Sequence, residues 1–147
     1  MNNIIFKYAL KNSFNFPLSE LCVTNDEKYN LLLTKEDCEK VETMTIDTKA
    51  INTILEKYEN KFKEAIKEEI PNAHVLDGYI NTIDFKANGK WYNLKFTNLG
   101  YYSDEEIDKS EYLSLVFDLL DDLYDELESQ VKEVKDYFVL TYEDVEE

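Results

Sequence analysis

The chain has 147 residues and a net charge of −16, from 32 acidic side chains against 16 basic ones, every one of them lysine. A negative field of that size, without the planar guanidinium that best grips phosphate, argues against direct binding to nucleic acid or to an anionic membrane. At 44% hydrophobic and 14% aromatic the chain is too apolar for a disordered acidic tail, and its length suits one compact domain with a real core.

The opening residues carry no charged-then-apolar signal pattern, and no apolar run approaches the roughly 18 residues of a membrane span, so a cytoplasmic location is expected. Two cysteines, Cys22 and Cys38, are too few for a disulfide framework. They read as reduced thiols, with a single disulfide as the alternative. Charge divides the chain. Residues 1–100 hold 15 acids and 13 lysines, whereas residues 101–147 hold 17 acids and 3 lysines.

In chain order, Ile4 to Leu10 alternates as a strand. Phe16 to Thr24 and Lys28 to Leu33 read as two more, joined by the turn residues Thr24-Asn25-Asp26-Glu27. Pro17 restricts the second strand to an edge or a late start. Thr34, with Asp37 three residues on, is expected to cap a short helical turn as far as Val41. Asp47 opens a longer helix whose buried face is Ile51, Ile54, Leu55, Tyr58, Phe62, Ala65, Ile66 and Ile70. Its polar face interleaves signs, as in Glu59-Lys63 and Glu64-Lys67, and Pro71 stops it. Asn88-Gly89 between two alternating runs specifies a hairpin over about 79–98, with Phe85 opposite Tyr92 and Ile83 opposite Leu94. Ser103 and Glu106 form a possible capping box, with the helix proper starting near Ser110. A stripe then runs through Leu113, Val116, Phe117, Leu120, Leu123, Tyr124, Leu127, Val131 and Val134, and a last strand is expected over Phe138 to Tyr142. The order implies an α+β fold: an antiparallel sheet of five to six strands with two main helices packed on one face. The near-neutral, β-rich part (1–100) carries the first helix and hairpin, and 101–147 the acidic helix and final strand.

Catalytic signals are absent from this pattern. His74 is the only histidine, and neither cysteine is spaced to pair with it. Three glycines (Gly78, Gly89, Gly100) form no phosphate-cradling loop, and zinc ligands do not cluster. Asp104, Glu106, Asp108 and Ser110 alternate as in a calcium loop, but Lys109 stands at its glycine position and Leu115 at its closing glutamate. The expectation is a non-enzyme with no cofactor and no dedicated metal site; a small carboxylate-using enzyme is the minor alternative.

The acidic helix is what remains to be explained. Residues 118–128, DLLDDLYDELE, hold six carboxylates and no lysine. Asp118-Asp121, Asp118-Asp122, Asp121-Asp125, Asp122-Asp125, Asp122-Glu126 and Asp125-Glu128 are helical neighbours of like charge. Each pair costs about 0.2–0.5 kcal/mol in an isolated helix, roughly 1–3 kcal/mol together before screening. The first helix avoids this cost by mixing signs. One explanation is a solvated face kept acidic for solubility. The other is attraction of a basic partner by Asp118, Asp121, Asp122, Asp125, Glu126 and Glu128, with Tyr101 and Tyr102 as anchors. Rows of carboxylates repeating at about 5.4 Å along a helix also approach the spacing of a phosphate backbone. In composition alone, this third of the chain looks like the small acidic DNA mimics of phages and mobile elements, and like acidic immunity proteins that neutralise nuclease toxins. The resulting expectation is an inhibitor that occludes the nucleic-acid site of a basic nuclease, of the anti-CRISPR, anti-restriction or toxin-immunity kind. The alternative is a scaffold module that binds an unrelated partner through a sheet edge or a tyrosine patch. Of Tyr101, Tyr102, Tyr112, Tyr137 and Tyr142, at least two are expected to be core.

Overall fold

A computed structural model describes residues 4–12, 14, 16–35, 41–65, 79–97 and 102–138, and the side chains of all of these except 63–65 and 97. Within them, β1 (Ile4–Asn12), β2 (Pro17–Thr24), β3 (Leu31–Lys35), β4 (Glu42–Met44), β5 (Tyr79–Ala87) and β6 (Lys90–Thr97) form one antiparallel sheet. The strand order is β4-β3-β2-β1-β5-β6. The helices are α1 (Lys49–Ala65), α2 (Asp104–Lys109) and α3 (Glu111–Gln130), followed by a 3-10 helix over Lys132–Tyr137. α1 and α3 pack on each other and on one face of the sheet, so the α+β architecture expected from the sequence is the one adopted.

The core is built from one side of every long strand. Phe6 and Tyr8 stand beside Val23 and Leu21 on one flank and beside Phe85 and Ile83 on the other. Leu31, Leu33 and Leu94 extend that layer, and Ile51, Leu55, Tyr58 and Phe62 of α1 cover it. The hairpin register is the one the turn demands: Phe85 pairs with Tyr92 and Ile83 with Leu94. Asn88 and Gly89 both take positive φ, 53° and 79°, as a two-residue hairpin turn requires. The other sheet face, which no described helix covers, carries Lys7, Lys11, Lys86 and Lys95 with Glu20, Asp84 and the half-exposed Trp91.

Several local expectations need correction. Thr34 sits in β3, paired with Glu20, so it is a strand residue rather than a cap; the helical turn expected after it falls on residues 36–40, outside those described. β3 starts at Leu31 rather than Lys28 because Asn30 is diverted to other work. Its buried amide donates to the Ile46 and Asp26 carbonyls and accepts from the Ile46 N–H, tying the β2–β3 turn to the approach of α1. Pro17 is the first residue of β2, which lies inside the sheet, so the late start is realised and the edge is not. Asp37, Cys38, Ile66, Ile70, Pro71, His74, Gly78, Gly100 and the proposed strand beyond Phe138 lie outside the described residues. Cys22 is a buried free thiol.

The largest departure concerns Glu59. Its helical position suggests the solvent face, yet it is fully buried. The tip of the β5–β6 hairpin folds over α1 and brings two donors: the Asn88 amide at 2.9 Å and the Tyr92 hydroxyl at 2.5 Å. Burial of a carboxylate is tolerable only with such partners. The Tyr92 hydroxyl is correspondingly held in its protonated form, its pKa pushed up to about 12 by the bond to Glu59 and then by burial.

Tyr92→Phe therefore removes a donor from a buried acid and is expected to cost about 1–3 kcal/mol, read as a lower urea midpoint with an unchanged slope. A raised tyrosine pKa stabilises the fold below the unfolded-state value of about 10 and loses that contribution as pH climbs through the folded value. Tyr92→Phe should thus show a smaller alkaline loss of stability between about pH 10 and 12 than the parent, the remainder coming from other tyrosines the fold keeps protonated, such as Tyr58.

Candidate acidic docking face

α3 is capped at its start and nearly bare at its end. The Ser103–Glu106 capping box is complete in α2, with bonds of 2.9 and 3.2 Å. Ser110 then caps α3 by accepting from the Leu113 N–H at 3.1 Å. At the C-terminus no lysine occupies the last turn, where a cation would complement the helix dipole, and Glu128 stands there instead. Leu113, Val116, Leu120, Leu123 and Leu127 are all buried, and so are Leu115 and Leu119. That stripe fixes the rotation of the helix. Asp118, Asp121, Asp125 and Glu128 emerge on the opposite side, whereas Asp122 and Glu126 fall at its margin.

The six carboxylates fall into two sets. Asp122 is half-buried against α1: its Oδ2 accepts from the Tyr58 hydroxyl at 2.6 Å and lies 3.6 Å from Lys57 Nζ. Burial and that hydrogen bond hold the Tyr58 phenol firmly protonated. Glu126 is also half-buried and accepts from Gln130 Nε2 at 2.9 Å. Gln130 in turn bonds both the N–H and the carbonyl of Asp47, at 2.7 and 3.0 Å, fastening the end of α3 to the start of α1. Asp122 and Glu126 are thus engaged inside the fold. Asp118, Asp121, Asp125 and Glu128 are exposed, and among the described residues no lysine forms an ion pair with any of them.

Mutual repulsion within the exposed set is visible at Asp121. Its pKa is raised, first by partial burial and then by Asp118, Asp125 and Asp122. The anchors named from sequence fare differently. Tyr101 lies outside the described residues, and Tyr102 is half-buried and packed against the core. Tyr112 and Tyr137 are core residues, as expected of at least two tyrosines in this region.

The sequence pattern places Phe117 and Tyr124 in the buried stripe, but both are half-buried and flank the acids. Phe117, Asp121 and Tyr124 recur at i, i+4 and i+7, one line along α3 beside the buried stripe. The 3-10 helix runs back past that line. Val131, Val134 and Tyr137 recur every three residues, the period of such a helix, and the last two are buried. Phe138 follows, stacked near Phe6 and Tyr8 at 6.2 and 5.8 Å and edge-on to Tyr124 at 5.6 Å. Phe117, Leu120, Asp121, Tyr124, Lys135 and Phe138 thereby enclose an open groove of about 270 Å³ at the margin of the acidic face. Among the described residues no group of acidic, histidine or cysteine side chains is arranged to hold a metal ion, and no helix is long and apolar enough to cross a membrane.

Replacing Asp121 and Asp125 by asparagine removes the contacts Asp118-Asp121, Asp121-Asp125, Asp122-Asp125 and Asp125-Glu128. The expected gain is about 1–2 kcal/mol at low salt, shrinking as salt is added and offset in part by the weaker helix propensity of asparagine. Asp122→Ala should do the opposite, because it strips the acceptor from Tyr58. A raised carboxylate pKa penalises the folded state once the group ionises, so the Asp121 penalty appears as pH rises through its titration range and vanishes below it. Thermal melts of Asp121→Asn against the parent should differ at pH 7 and converge on acidification. No protein-family model matches the chain, and no curated protein matches it.

Proposed function

We propose that the chain is a non-catalytic inhibitor that presents the exposed side of α3 to a basic, nucleic-acid-processing protein, such as a nuclease, and occludes its nucleic-acid site. One observation carries this reading. Asp118, Asp121, Asp125 and Glu128 form an exposed row on a helix whose other side is locked in the core, with no ion pair to any described lysine. No described lysine offsets these charges, and their mutual repulsion raises the pKa of Asp121. A row of fixed negative charge on a rigid rod offers a cationic channel what a nucleic-acid strand offers it, without bases. An anti-defence role, against CRISPR or restriction enzymes, and a toxin-immunity role are both served by this geometry. Asp122 contributes to the field while bonding α1, and Glu126 while bonding Gln130, which ties α3 to the start of α1.

A second reading has its own observation. Trp91 is 45% exposed on the uncovered sheet face, and exposed tryptophan is a common interface anchor. In that case the chain is a scaffold module, its acidic helix is a solvent coat, and its partner has no bias towards nucleic acid.

The discriminating experiment captures partners from the native source on the immobilised protein, elutes them with rising salt, and measures association of the eluted partner at about 50 and about 300 mM salt. A short duplex serves as competitor. On the inhibitor reading, duplex and protein exclude each other, and binding falls steeply with salt. The Asp118, Asp121, Asp125 to Asn variant then associates more slowly and loses most of that salt sensitivity. Simultaneous binding of duplex and protein, or an undiminished triple variant at both salts, rejects it. Loss of binding in Trp91→Ala instead establishes the scaffold reading.

A further inference from the structure

Long-range attraction selects an encounter but does not hold a complex; lifetime comes from a few packed anchors. On the acidic face as described, the exposed carboxylates supply no such anchor. Tyr102 is already committed to packing against the core. The groove beside the face differs. It is open, it measures about 270 Å³, and its walls are Phe117, Tyr124 and Phe138 over a floor that includes Leu120. That volume falls just short of the roughly 300–1,000 Å³ typical of small-molecule pockets, which suits one inserted side chain better than a free ligand.

Its chemistry is asymmetric. Asp121 stands on the wall, in the combined field of Asp118, Asp122 and Asp125. The Tyr124 hydroxyl lies 3.5 Å from Glu128, within the field of Asp125 and Asp136 as well. Among the described residues Lys135 is the one cation lining the groove, and it forms no ion pair with Asp121. Aromatic surfaces next to a carboxylate whose neighbours are mostly acidic call for a cation with apolar faces. Of the two protein cations, guanidinium is planar, weakly hydrated, stacks on rings and can bond a carboxylate with two N–H groups; ammonium keeps its water. Nucleic-acid-binding sites are rich in both, so a groove that prefers one adds selectivity to a field that has none.

We infer that the groove formed by Phe117, Tyr124 and Phe138 with Asp121 is an arginine pocket, which takes one arginine side chain of the basic partner. The inference rests on the acidic-face reading, because the field brings the cation to the groove. The alkyl stem of the arginine lies over Leu120, its plane stacks on Tyr124 or Phe117, and Asp121 accepts from its N–H groups. This chain contains no arginine, so it has none of its own to place there.

The test compares two peptides of equal charge and length, nona-arginine and nona-lysine, titrated into the full chain. Calorimetry reads the affinity, and NMR reads the aromatic protons of Phe117, Tyr124 and Phe138. Both peptides should bind and both should weaken with salt, since the field acts on either. Nona-arginine should bind about five- to tenfold more tightly, with saturable shifts at the three rings. Tyr124→Leu, which keeps the apolar packing but removes a ring, should erase that preference while leaving nona-lysine binding intact. Asp121→Asn, at an exposed position, should reduce the preference without threatening the fold. Equal binding of the two peptides, or ring signals that do not move, overturns the arginine pocket while the acidic-face reading survives; a groove already filled from within the chain would give that result. Failure of both peptides to bind overturns the two together.

Discussion

Burial of the leucine stripe of α3 is the constraint on which the remainder depends. Leu113, Val116, Leu120, Leu123 and Leu127 are buried in the core that α3 shares with α1 and the sheet, and a helix anchored by five large side chains has no freedom to rotate. Once that rotation is set, every other position on α3 is assigned a direction. Asp122 meets Tyr58, Gln130 reaches Asp47, and Asp118, Asp121, Asp125 and Glu128 point away from the protein. The acidic row is rigid because the apolar row is.

The chain treats its carboxylates in three ways. Glu59 is taken fully out of water and satisfied by the hairpin tip, including Asn88 of the turn itself. Asp122 and Glu126 remain half-exposed; the first bonds Tyr58 of α1, and the second bonds Gln130, whose amide reaches Asp47 before α1. The third group, on the outer side of α3, has neither burial nor a lysine partner. The first two groups follow from the needs of the fold. Solubility would be served as well by mixed charge, as α1 demonstrates with lysines and glutamates side by side. A one-signed row at the C-terminal end of a helix works against both neighbour repulsion and the helix dipole.

What the sequence made legible was what local physics controls. Asn88-Gly89 fixes a turn whose register agrees with the alternation on either side, and the Ser103–Glu106 spacing and the three-four stripe of α3 each state their own structure. The misses share a cause: long-range partners. Glu59 looks solvent-facing until the hairpin supplies Tyr92 and Asn88 from about thirty residues away. Thr34 looks like a cap until β2 and β4 claim its strand, and Asn30 looks like strand until Ile46 claims its amide. The outward direction of Asp118, Asp121, Asp125 and Glu128 was readable from periodicity; the engagement of Asp122 with Tyr58 was not. The groove was not, because Phe138 enters it from outside α3, after a 3-10 turn that only the three-residue recurrence of Val131, Val134 and Tyr137 announces.

The uncovered side of the sheet has a consequence for how the molecule moves. Lys7, Lys11, Lys86 and Lys95 sit there against Glu20 and Asp84, while the carboxylates of α3 lie beyond the helical layer on the far side. Among its described residues the molecule thus separates charge, with lysines on one side and unpaired carboxylates on the other. Facing a cationic surface within about 10 Å, the Debye length at 0.1 M salt, it feels a torque that turns α3 forward before any atoms touch. Net charge alone would pull it in at every orientation equally. On the proposed inhibitor reading, the lysine-bearing face would disfavour approaches that do not lead with α3.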